Sequence, residues 1–205
     1  MIAEELAYRL RSSDPKNLTT VSRLERTLKR LLLETNSVLL LSKADSGLLN
    51  ISTVPLAIED LINECINNFA VVFESAHTDL ILSIEPDLPK VYLDPAVFPS
   101  VITNLLDNAL KYGIEKSPVK VRIQKSDTGV EILVSTLGPE LSPSDTAELF
   151  KRFFRGENAV GKPGSGLGLY LCREILSLHM GQIGLHRIQD ENVFKISVPL
   201  EMKSK

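Results

Sequence analysis

The sequence predicts an α+β chain in which a helical hairpin is followed by an α/β sandwich, a mixed sheet with three helices on one face. Apolar residues repeat at heptad spacing in the first part of the chain. After residue 48, amphipathic helical segments alternate with short strand segments, and two pairs of strands close as hairpins. We therefore expect a hairpin domain over residues 1–48 and an α/β domain over residues 49–205.

The first domain is predicted to hold two helices. Ile2–Ser12 reads as a short helix, a turn follows around Pro15, and Leu18–Ala44 reads as a long helix that ends before Gly47. The long helix carries a heptad seam made of Val21, Leu24, Leu28, Leu31 and Val38. Additional leucines widen this seam. The hairpin therefore needs a second pair of helices, and we expect a four-helix bundle formed by a homodimer.

The second domain is predicted from the alternation of its patterns. The predicted helices are an amphipathic one around Ile58–Phe73, one over Pro95–Tyr112, a short one near Thr146–Phe153 and a last one over Gly166–His179. The predicted strands are Asn50–Val54, Leu80–Ile84, Val119–Gln124, Val130–Thr136, Gln182–Arg187 and Val193–Val198.

Composition narrows the function classes. The 205 residues carry a net charge of −3, which gives no general attraction for nucleic acid or anionic membrane. No apolar run approaches the ~20 residues that a membrane span needs. Cys65 and Cys172 lie in apolar helical patterns and belong to no Cys-x-x-Cys pair, so we expect two reduced core thiols.

Three polar residues share one face of the helix predicted over Pro95–Tyr112. Asn104, Asn108 and Lys111 follow one another at i, i+4 and i+7. An amide oxygen is a hard, neutral ligand for Mg²⁺, and an ammonium offers a point charge to phosphate. The set suits a magnesium-triphosphate site, although a solvated outer face explains the same spacing.

A glycine-rich segment opens the last helix. Gly164, Gly166 and Gly168 alternate with Ser165 and Leu167. Glycines let backbone N–H groups approach an anion, and a helix N-terminus adds partial positive charge. A phosphate cradle and a merely flexible loop both fit this segment taken alone.

The two segments gain meaning from their order along the chain. Between them lies LFKRFFRG at residues 149–156, and the first segment reads NLLDNALKY at residues 104–112. With GSGLGL at residues 164–169, this set resembles the N, F and G2 boxes of the sensor histidine kinases of two-component signalling. The resemblance extends over essentially the whole chain and implies a Bergerat-type ATP-binding fold, with ATP and Mg²⁺ as ligands.

The resemblance also implies roles for individual residues. Asn108 would hold Mg²⁺ with support from Asn104, Lys111 would touch phosphate, Tyr112 would stack near the adenine, and residues 155–164 would form a mobile lid. The full set of implied nucleotide-binding residues is Asn104, Asn108, Lys111, Tyr112, Thr136, Gly138, Phe153, Arg155, Gly164, Gly166, Leu167 and Gly168. Related ATPases place glutamate at the position of Asn104, because water needs a general base. The asparagine argues against simple hydrolysis.

The chain departs from the family in the G1 box. Thr136 stands where the family has the aspartate that accepts the adenine amino group, and Glu140 stands where it has a second glycine. A neutral hydroxyl makes a weaker bond than a carboxylate, so we expect adenine binding to be weaker and less selective by roughly 1–2 kcal/mol. Glu140 would also bring negative charge near the polyphosphate.

The phosphoacceptor is the second departure, because His77, His179 and His186 all lie outside the predicted hairpin. In one alignment, supported by local identity, Glu4 takes the place of the acceptor histidine. In the other, supported by the shortness of the first helix, the acceptor lies upstream of Met1. A glutamate acceptor position also occurs in chloroplast sensor kinases, so the expected location is the cytoplasm or the stroma.

Two functions remain open from the sequence. The first is a kinase-like signalling protein that binds Mg-ATP and transfers its γ-phosphoryl group, or regulates that transfer, in a two-component pathway. The alternative is an inactive pseudokinase that serves as a dimerisation and docking module for a partner kinase or a response regulator. The altered G1 box favours the alternative, whereas the N, F and G2 boxes favour nucleotide binding.

Overall fold

A mixed sheet lies at the centre of the computed structural model, which describes residues 15–46 and 48–200. The helices of this part are α1 (Pro15–Asp45), α2 (Ile58–Ala76), α3 (Pro99–Tyr112), α4 (Pro143–Glu148) and α5 (Gly168–Leu178), with a 3₁₀ turn at Glu157–Ala159. The strands are β1 (Val54–Leu56), β2 (Leu80–Ile84), β3 (Val91–Leu93), β4 (Val119–Ser126), β5 (Gly129–Leu137), β6 (Gln182–Ile188) and β7 (Glu191–Pro199).

Five of these strands form the central sheet of the described residues, in the order β2-β4-β5-β7-β6. β2 runs parallel to β4, and every other neighbouring pair is antiparallel. Each antiparallel hairpin closes through two residues, Asp127–Thr128 between β4 and β5 and Gln189–Asp190 between β6 and β7. Both hairpins predicted from the alternation of apolar residues are confirmed.

The core lies between this sheet and a layer of three helices, α2, α3 and α5. The helices are amphipathic and turn their apolar faces to the sheet, where burial of apolar surface drives their packing. The side chains fully buried at this junction include Ile62, Phe98, Ile102, Leu105, Ile123, Ile132, Leu171, Ile175 and Ile196. The predicted sandwich, with three helices on one face of a mixed sheet, is confirmed.

Several predicted boundaries were wrong. The strand predicted at Asn50–Val54 is instead the short β1, which pairs only with β3, and β3 is itself a strand that the pattern missed. The helix expected from Pro95 begins at Pro99, after turns that satisfy the Asp94 side chain. The helix expected at Thr146–Phe153 is α4, capped by the Ser142 hydroxyl, which accepts from Asp145 N. The last helix starts two residues late, because Gly166 adopts φ +72°.

The long helix α1 contacts α2, α3 and α5 near its C-terminal end. Leu41 is 1% exposed and belongs to the same core as the helical layer. Farther up the helix, apolar side chains face outward: Leu24, Leu28, Leu31, Leu32, Val38 and Leu39. The helix expected at Ile2–Ser12 lies outside the described residues.

Both cysteines are buried and free in the structure. Burial raises the pKa of the Cys65 thiol to about 12 and raises that of Cys172 as well, so neither is a reactive thiolate at neutral pH. This agrees with the expectation of core thiols. Within residues 15–46 and 48–200, no helix has the length and apolarity that crossing a membrane requires.

Candidate functional site

A cleft open to solvent lies beside α3 where α3, the start of α5 and one end of the sheet meet. The segment from Leu149 to Gly166 covers one side of it, and α1 closes part of another through Glu34 and Ser37. The side chains and glycines around it separate into three groups, one on α3, one in the glycine-rich segment and one at the sheet.

The helix α3 presents its predicted polar face to the cleft. Asn104, Asn108 and Lys111 all line it, while Val101 and Leu105 on the opposite side are fully buried in the core. The Nδ2 atom of Asn104 donates to Ser100 O over 2.7 Å, which orients the amide. Because the apolar face of α3 packs against the core, its polar face points into the cleft.

Asn108 differs from its neighbour in having no hydrogen-bond partner. Its side chain lines the cleft and is half-buried, and it makes no hydrogen bond with any of the residues that the structure describes. Its amide atoms remain accessible, so a ligand or water in the cleft can satisfy them. The free oxygen is a hard donor of the kind that Mg²⁺ prefers.

Lys111 is held by a carboxylate within the cleft. Its ammonium forms an ion pair with Asp107, one turn earlier on α3, and both side chains are about four-fifths buried. Asp107 also lines the cleft, a role that the spacing analysis had not assigned to it. Because the pair is an i,i+4 contact on one helix, it places the ammonium without help from the rest of the fold.

The glycine-rich segment is shaped by close backbone contacts. Gly166 has φ +72°, and its carbonyl accepts a hydrogen bond from Phe153 N over 3.1 Å. A Cβ added at Gly166 would lie 2.7 Å from Phe153 C and 2.7 Å from Phe154 O. At Gly168 a Cβ would lie 2.7 Å from Asn104 Oδ1. Contact with backbone atoms therefore requires Gly166, and Gly168 leaves room for the Asn104 amide, so a merely flexible loop does not describe this segment.

One arginine organises the segment between the F and G2 boxes. Arg155 donates to Gly164 O over 3.0 Å and to Ala159 O over 2.8 Å, and it also donates to Lys162 O. The planar guanidinium suits several acceptors at once. Lys162 in turn places its ammonium 5.2 Å from the centre of the Tyr112 ring and donates to Lys111 O. The predicted lid is thus folded over the end of α3.

The sheet end of the cleft combines neutral polar side chains with apolar ones. Thr136, only 6% exposed, and Asn192 line it together with Leu185 and Phe194. Thr136 and Asn192 are directly opposite one another in the register of β5 and β7. Glu140 is exposed and does not line the cleft, so the expected carboxylate beside a polyphosphate is not found there.

Most of the residues proposed from the resemblance meet in this cleft. Those that line it are Asn104, Asn108, Lys111, Tyr112, Thr136, Arg155, Gly164, Gly166 and Gly168. Gly138, Phe153 and Leu167 do not line it. Glu4 lies outside the described residues. Contact with a ligand stays a prediction for all of them.

Gly138, Phe153 and Leu167 contact neighbouring segments instead of lining the cleft. Gly138 O accepts from Arg187 Nη1 over 2.7 Å, which ties the G1 loop to β6. Phe153 is 62% exposed with φ +63°, and its backbone bonds the glycine-rich segment. Leu167 is 5% exposed and belongs to the core. Their positions follow from the box patterns, but the side chains of Phe153 and Leu167 do not line the cleft.

Sequence reasoning missed several lining residues: Glu34, Ser37, Asp107, Asn158, Leu185, Asn192 and Phe194. Asp107 could have been found from its i,i+4 spacing to Lys111. Asn192 reaches the cleft through strand register, and Glu34 through the packing of α1, so neither carries a local signal.

The cleft therefore has two chemically different ends. At one end, the backbone N–H groups of the glycine-rich segment lie at the start of α5, beside the amide side chains of α3. This arrangement suits an anion and its counter-ion. At the other end, an apolar surface with a few neutral polar groups suits a flat heterocycle. A nucleoside triphosphate combines these two halves in one molecule.

Comparison with known proteins agrees with this division. A family model described as histidine kinase-, DNA gyrase B-, and HSP90-like ATPase matches residues 94–202, just over half of the chain. The matched range includes α3, the glycine-rich segment and the sheet end of the cleft. It leaves out α1, which contributes Glu34 and Ser37 to the cleft.

Relatives and solved structures narrow the comparison to sensor kinases. The adaptive-response sensory kinase SasA of Rippkaea orientalis is 30% identical over 177 residues, which are 85% of this chain and 44% of that protein. The chain thus spans less than half of that relative's length. The catalytic domain of histidine kinase ThkA superposes with TM-score 0.66 at 25% identity, covering 73% of this chain and 97% of that one.

ThkA in complex with the response regulator protein TrrA gives TM-score 0.67 at 20% identity, covering 98% of this chain and 57% of that one, and this shows the fold alone. With the cleft, these matches establish that the chain belongs to the histidine kinase-, DNA gyrase B- and HSP90-like ATPases and carries the nucleotide-binding domain of two-component sensor histidine kinases.

Proposed function

We propose that this chain binds Mg-ATP in the cleft and takes part in transfer of the γ-phosphoryl group to a side chain on a dimerisation helix. The observation that carries the proposal is the meeting, in one cleft, of the α3 amides with the glycine-rich segment. The whole protein's acceptor and activity belong to this proposal, because the chain covers less than half of the SasA relative.

The residues present fit a magnesium ion. Asn108 offers a half-buried amide oxygen with no partner in the described part of the chain. In that part, no group of three or more His, Cys, Asp and Glu side chains could hold a metal ion by itself. Mg²⁺ commonly takes one or two protein ligands and completes its shell with phosphate oxygens and water. When bound, the ion would neutralise charge on the phosphates.

The residues present also favour transfer over hydrolysis. Asn104 occupies the position from which a general base would activate water, and its amide has no basic oxygen for that task. Its Nδ2 is already committed to Ser100 O. Phosphoryl transfer depends mainly on positioning and charge neutralisation, which the cleft can supply through Asn108 and the glycine-rich segment.

Two kinds of partner complete the proposal. The outward apolar side chains of α1 support a homodimer through the helical hairpin, because such a stripe is usually covered in solution. ThkA has been solved in complex with the response regulator protein TrrA, and a response regulator is the second partner that we propose here. A partner kinase is the alternative if the chain is inactive.

The proposal is tested by calorimetric titration of ATP and ADP into the chain, with and without Mg²⁺. We expect magnesium-dependent binding in the micromolar to sub-millimolar range, lost in Asn108→Ala and kept in Asn67→Ala. Asn67 is the matched control, because it is an exposed asparagine on α2 that does not line the cleft. Absence of binding would remove the catalytic proposal and leave an inactive docking module.

A further inference from the structure

The sheet end of the cleft offers polar groups that are all neutral. Among the described sheet residues that line the cleft, Thr136 and Asn192 are polar, and Leu185 and Phe194 are apolar. Thr136 is 6% exposed, so a ligand group that meets its hydroxyl is removed from water. In such surroundings, the match of donors to acceptors decides which ligand binds.

Each of these two side chains can both donate and accept a hydrogen bond. The Thr136 hydroxyl has one long contact, 3.4 Å to Leu137 O, so its hydrogen and lone pairs are available to a ligand. Asn192 donates one Nδ2 hydrogen to Pro139 O over 2.9 Å and accepts from Arg187 at Oδ1 over 3.0 Å. An amide has two hydrogens and two carbonyl lone pairs, so one of each remains.

The charged side chains near Thr136 and Asn192 do not give this end of the cleft a preference for a ligand group that donates a hydrogen bond. Glu191, next to Asn192 in the chain, is held by Lys120 and Ser135 and does not line the cleft. The carboxylates that do line it belong to helices, Asp107 on α3 and Glu34 on α1, and Asp107 is paired with Lys111.

Among the cationic side chains, Arg187 donates a hydrogen bond to the side-chain carbonyl of Asn192. This hydrogen bond draws electron density away from the Asn192 amide, so the remaining Nδ2 hydrogen becomes a better donor. The pair is therefore at least as well suited to a carbonyl as to an amino group.

Adenine and guanine differ in the group that they carry at C6, which is the group that a hydrogen-bonding pair can distinguish. Adenine presents an amino donor at C6, and guanine presents a carbonyl acceptor there. A carboxylate accepts only, so it would bind the amino group and repel the carbonyl. A hydroxyl beside an amide can turn to suit either base.

We infer that the sheet end of this cleft accepts 6-oxopurine nucleoside triphosphates as well as adenine ones, with Thr136 and Asn192 as the specificity-determining pair. This inference rests on the proposed function, because it assumes that the cleft binds a nucleoside triphosphate. It widens the class of base beyond the adenine that the proposed function names.

The test is a set of calorimetric titrations of Mg-ATP, Mg-GTP and Mg-ITP into the 205-residue chain. ITP carries the 6-oxo group without the 2-amino group of guanine, so it isolates the contact in question. We expect the dissociation constants of ATP and ITP to agree within about fivefold, because a neutral pair suits either group. Thr136→Asp should then weaken ITP relative to ATP by about tenfold or more.

The controls separate the base contact from folding and from charge. Thr128→Asp adds the same charge in the exposed β4–β5 turn and should leave the ratio unchanged. Asn192→Asp is the second variant if Thr136→Asp does not fold, and it should shift the ratio in the same direction. Normal ATP binding with ITP and GTP weaker by about 30-fold or more in the unaltered chain overturns the inference alone. Failure of every triphosphate to bind overturns the proposed function, and this inference with it.

Discussion

The backbone N–H of Asp94 donates a hydrogen bond to Nε2 of His179 over 3.0 Å, which joins the turn before α3 to the end of α5. His179 is completely buried, and its Nδ1 lies 2.8 Å from Ile175 O. Nε2 accepts, so Nδ1 carries the hydrogen and the ring is neutral. One imidazole thus links the two helices that form the amide face and the glycine-rich end of the cleft.

We expect the free energy of unfolding to fall as the pH drops below about 6.5. Burial lowers the pKa of the His179 imidazole from its ordinary 6.5, and the opposing effects of the Ile175 carbonyl and the Asp94 carboxylate are smaller. Between the two pKa values the unfolded chain binds a proton that the folded chain excludes. The contribution is complete above the unfolded pKa and is lost as the pH falls through the folded one.

Asp94 extends this acid sensitivity to lower pH. Burial alone raises the pKa of its carboxyl, but hydrogen bonds from the N–H groups of Ser52, Ala96 and Val97 outweigh burial and hold the pKa below its ordinary 3.8. Its contribution is therefore present above pH 3.8 and is lost below that value as the folded pKa is passed.

Thermal unfolding between roughly pH 8 and pH 5 measures the histidine effect. His179→Gln should destabilise the chain by about 1–3 kcal/mol at neutral pH and flatten the pH dependence in this range. His186→Gln, at an exposed position on β6, should leave both unchanged. An equally steep pH dependence in His179→Gln would contradict the assignment.

Gly168→Ala should weaken nucleotide binding more than it weakens folding. The new Cβ would lie 2.7 Å from Asn104 Oδ1, and that amide can rotate away only by giving up its bond to Ser100 O. We expect a loss of affinity of about tenfold with a change in stability under about 1 kcal/mol, since alanine suits a helix. Calorimetry and thermal unfolding of the same samples separate the two effects. Unchanged affinity would show that the position of Asn104 does not matter.

Gly166→Ala should instead destabilise the fold. Its φ of +72° is unfavourable for alanine, and the Cβ would meet backbone atoms of Phe153 and Phe154 that cannot rotate away. We expect a loss of about 2–4 kcal/mol in the free energy of unfolding. Gly161→Ala is the matched control, with φ +76° and open space around the Cβ, and should cost about 1 kcal/mol. Equal losses in both variants would mean that the contact with the F box is unimportant.

Removal of the Arg155 guanidinium should open the segment between residues 155 and 164. Of its three acceptors, Ala159 O also accepts from Lys162 N over 3.1 Å, so the bonds to Gly164 O and Lys162 O depend most on the guanidinium. We expect Arg155→Ala to speed cleavage after the exposed Glu157 by a glutamate-specific protease by about tenfold, with little change in global unfolding. Arg155→Lys should behave similarly, because an ammonium keeps the charge and loses the planar fork.

Arg173→Ala serves as the control for that experiment. Arg173 is half-exposed on α5, lies 3.9 Å from Glu174 and contacts the Tyr170 ring, away from the lid. Its removal should leave the cleavage rate after Glu157 as it was. If Arg173→Ala accelerates cleavage as much as Arg155→Ala does, the lid is not held by Arg155.

Much of the fold could be predicted, because its signals are local. The alternation in Val119–Gln124 and Val130–Thr136, with turn residues between them, is enough to specify a hairpin. The spacing of Asn104, Asn108 and Lys111 places them on one face by helix geometry alone. By contrast, β3 has only three residues, which are too few to show a period, and β1 depends on pairing with it.

The sequence by itself determined which residues form the polar face of α3 and that a glycine-rich segment opens α5. These follow from covalent spacing and residue chemistry. Only the tertiary structure decided that Asn192 lies opposite Thr136 and that Lys162 lies over Tyr112. These contacts join distant parts of the chain, so strand register and the packing of the lid decide them, and no local pattern encodes either.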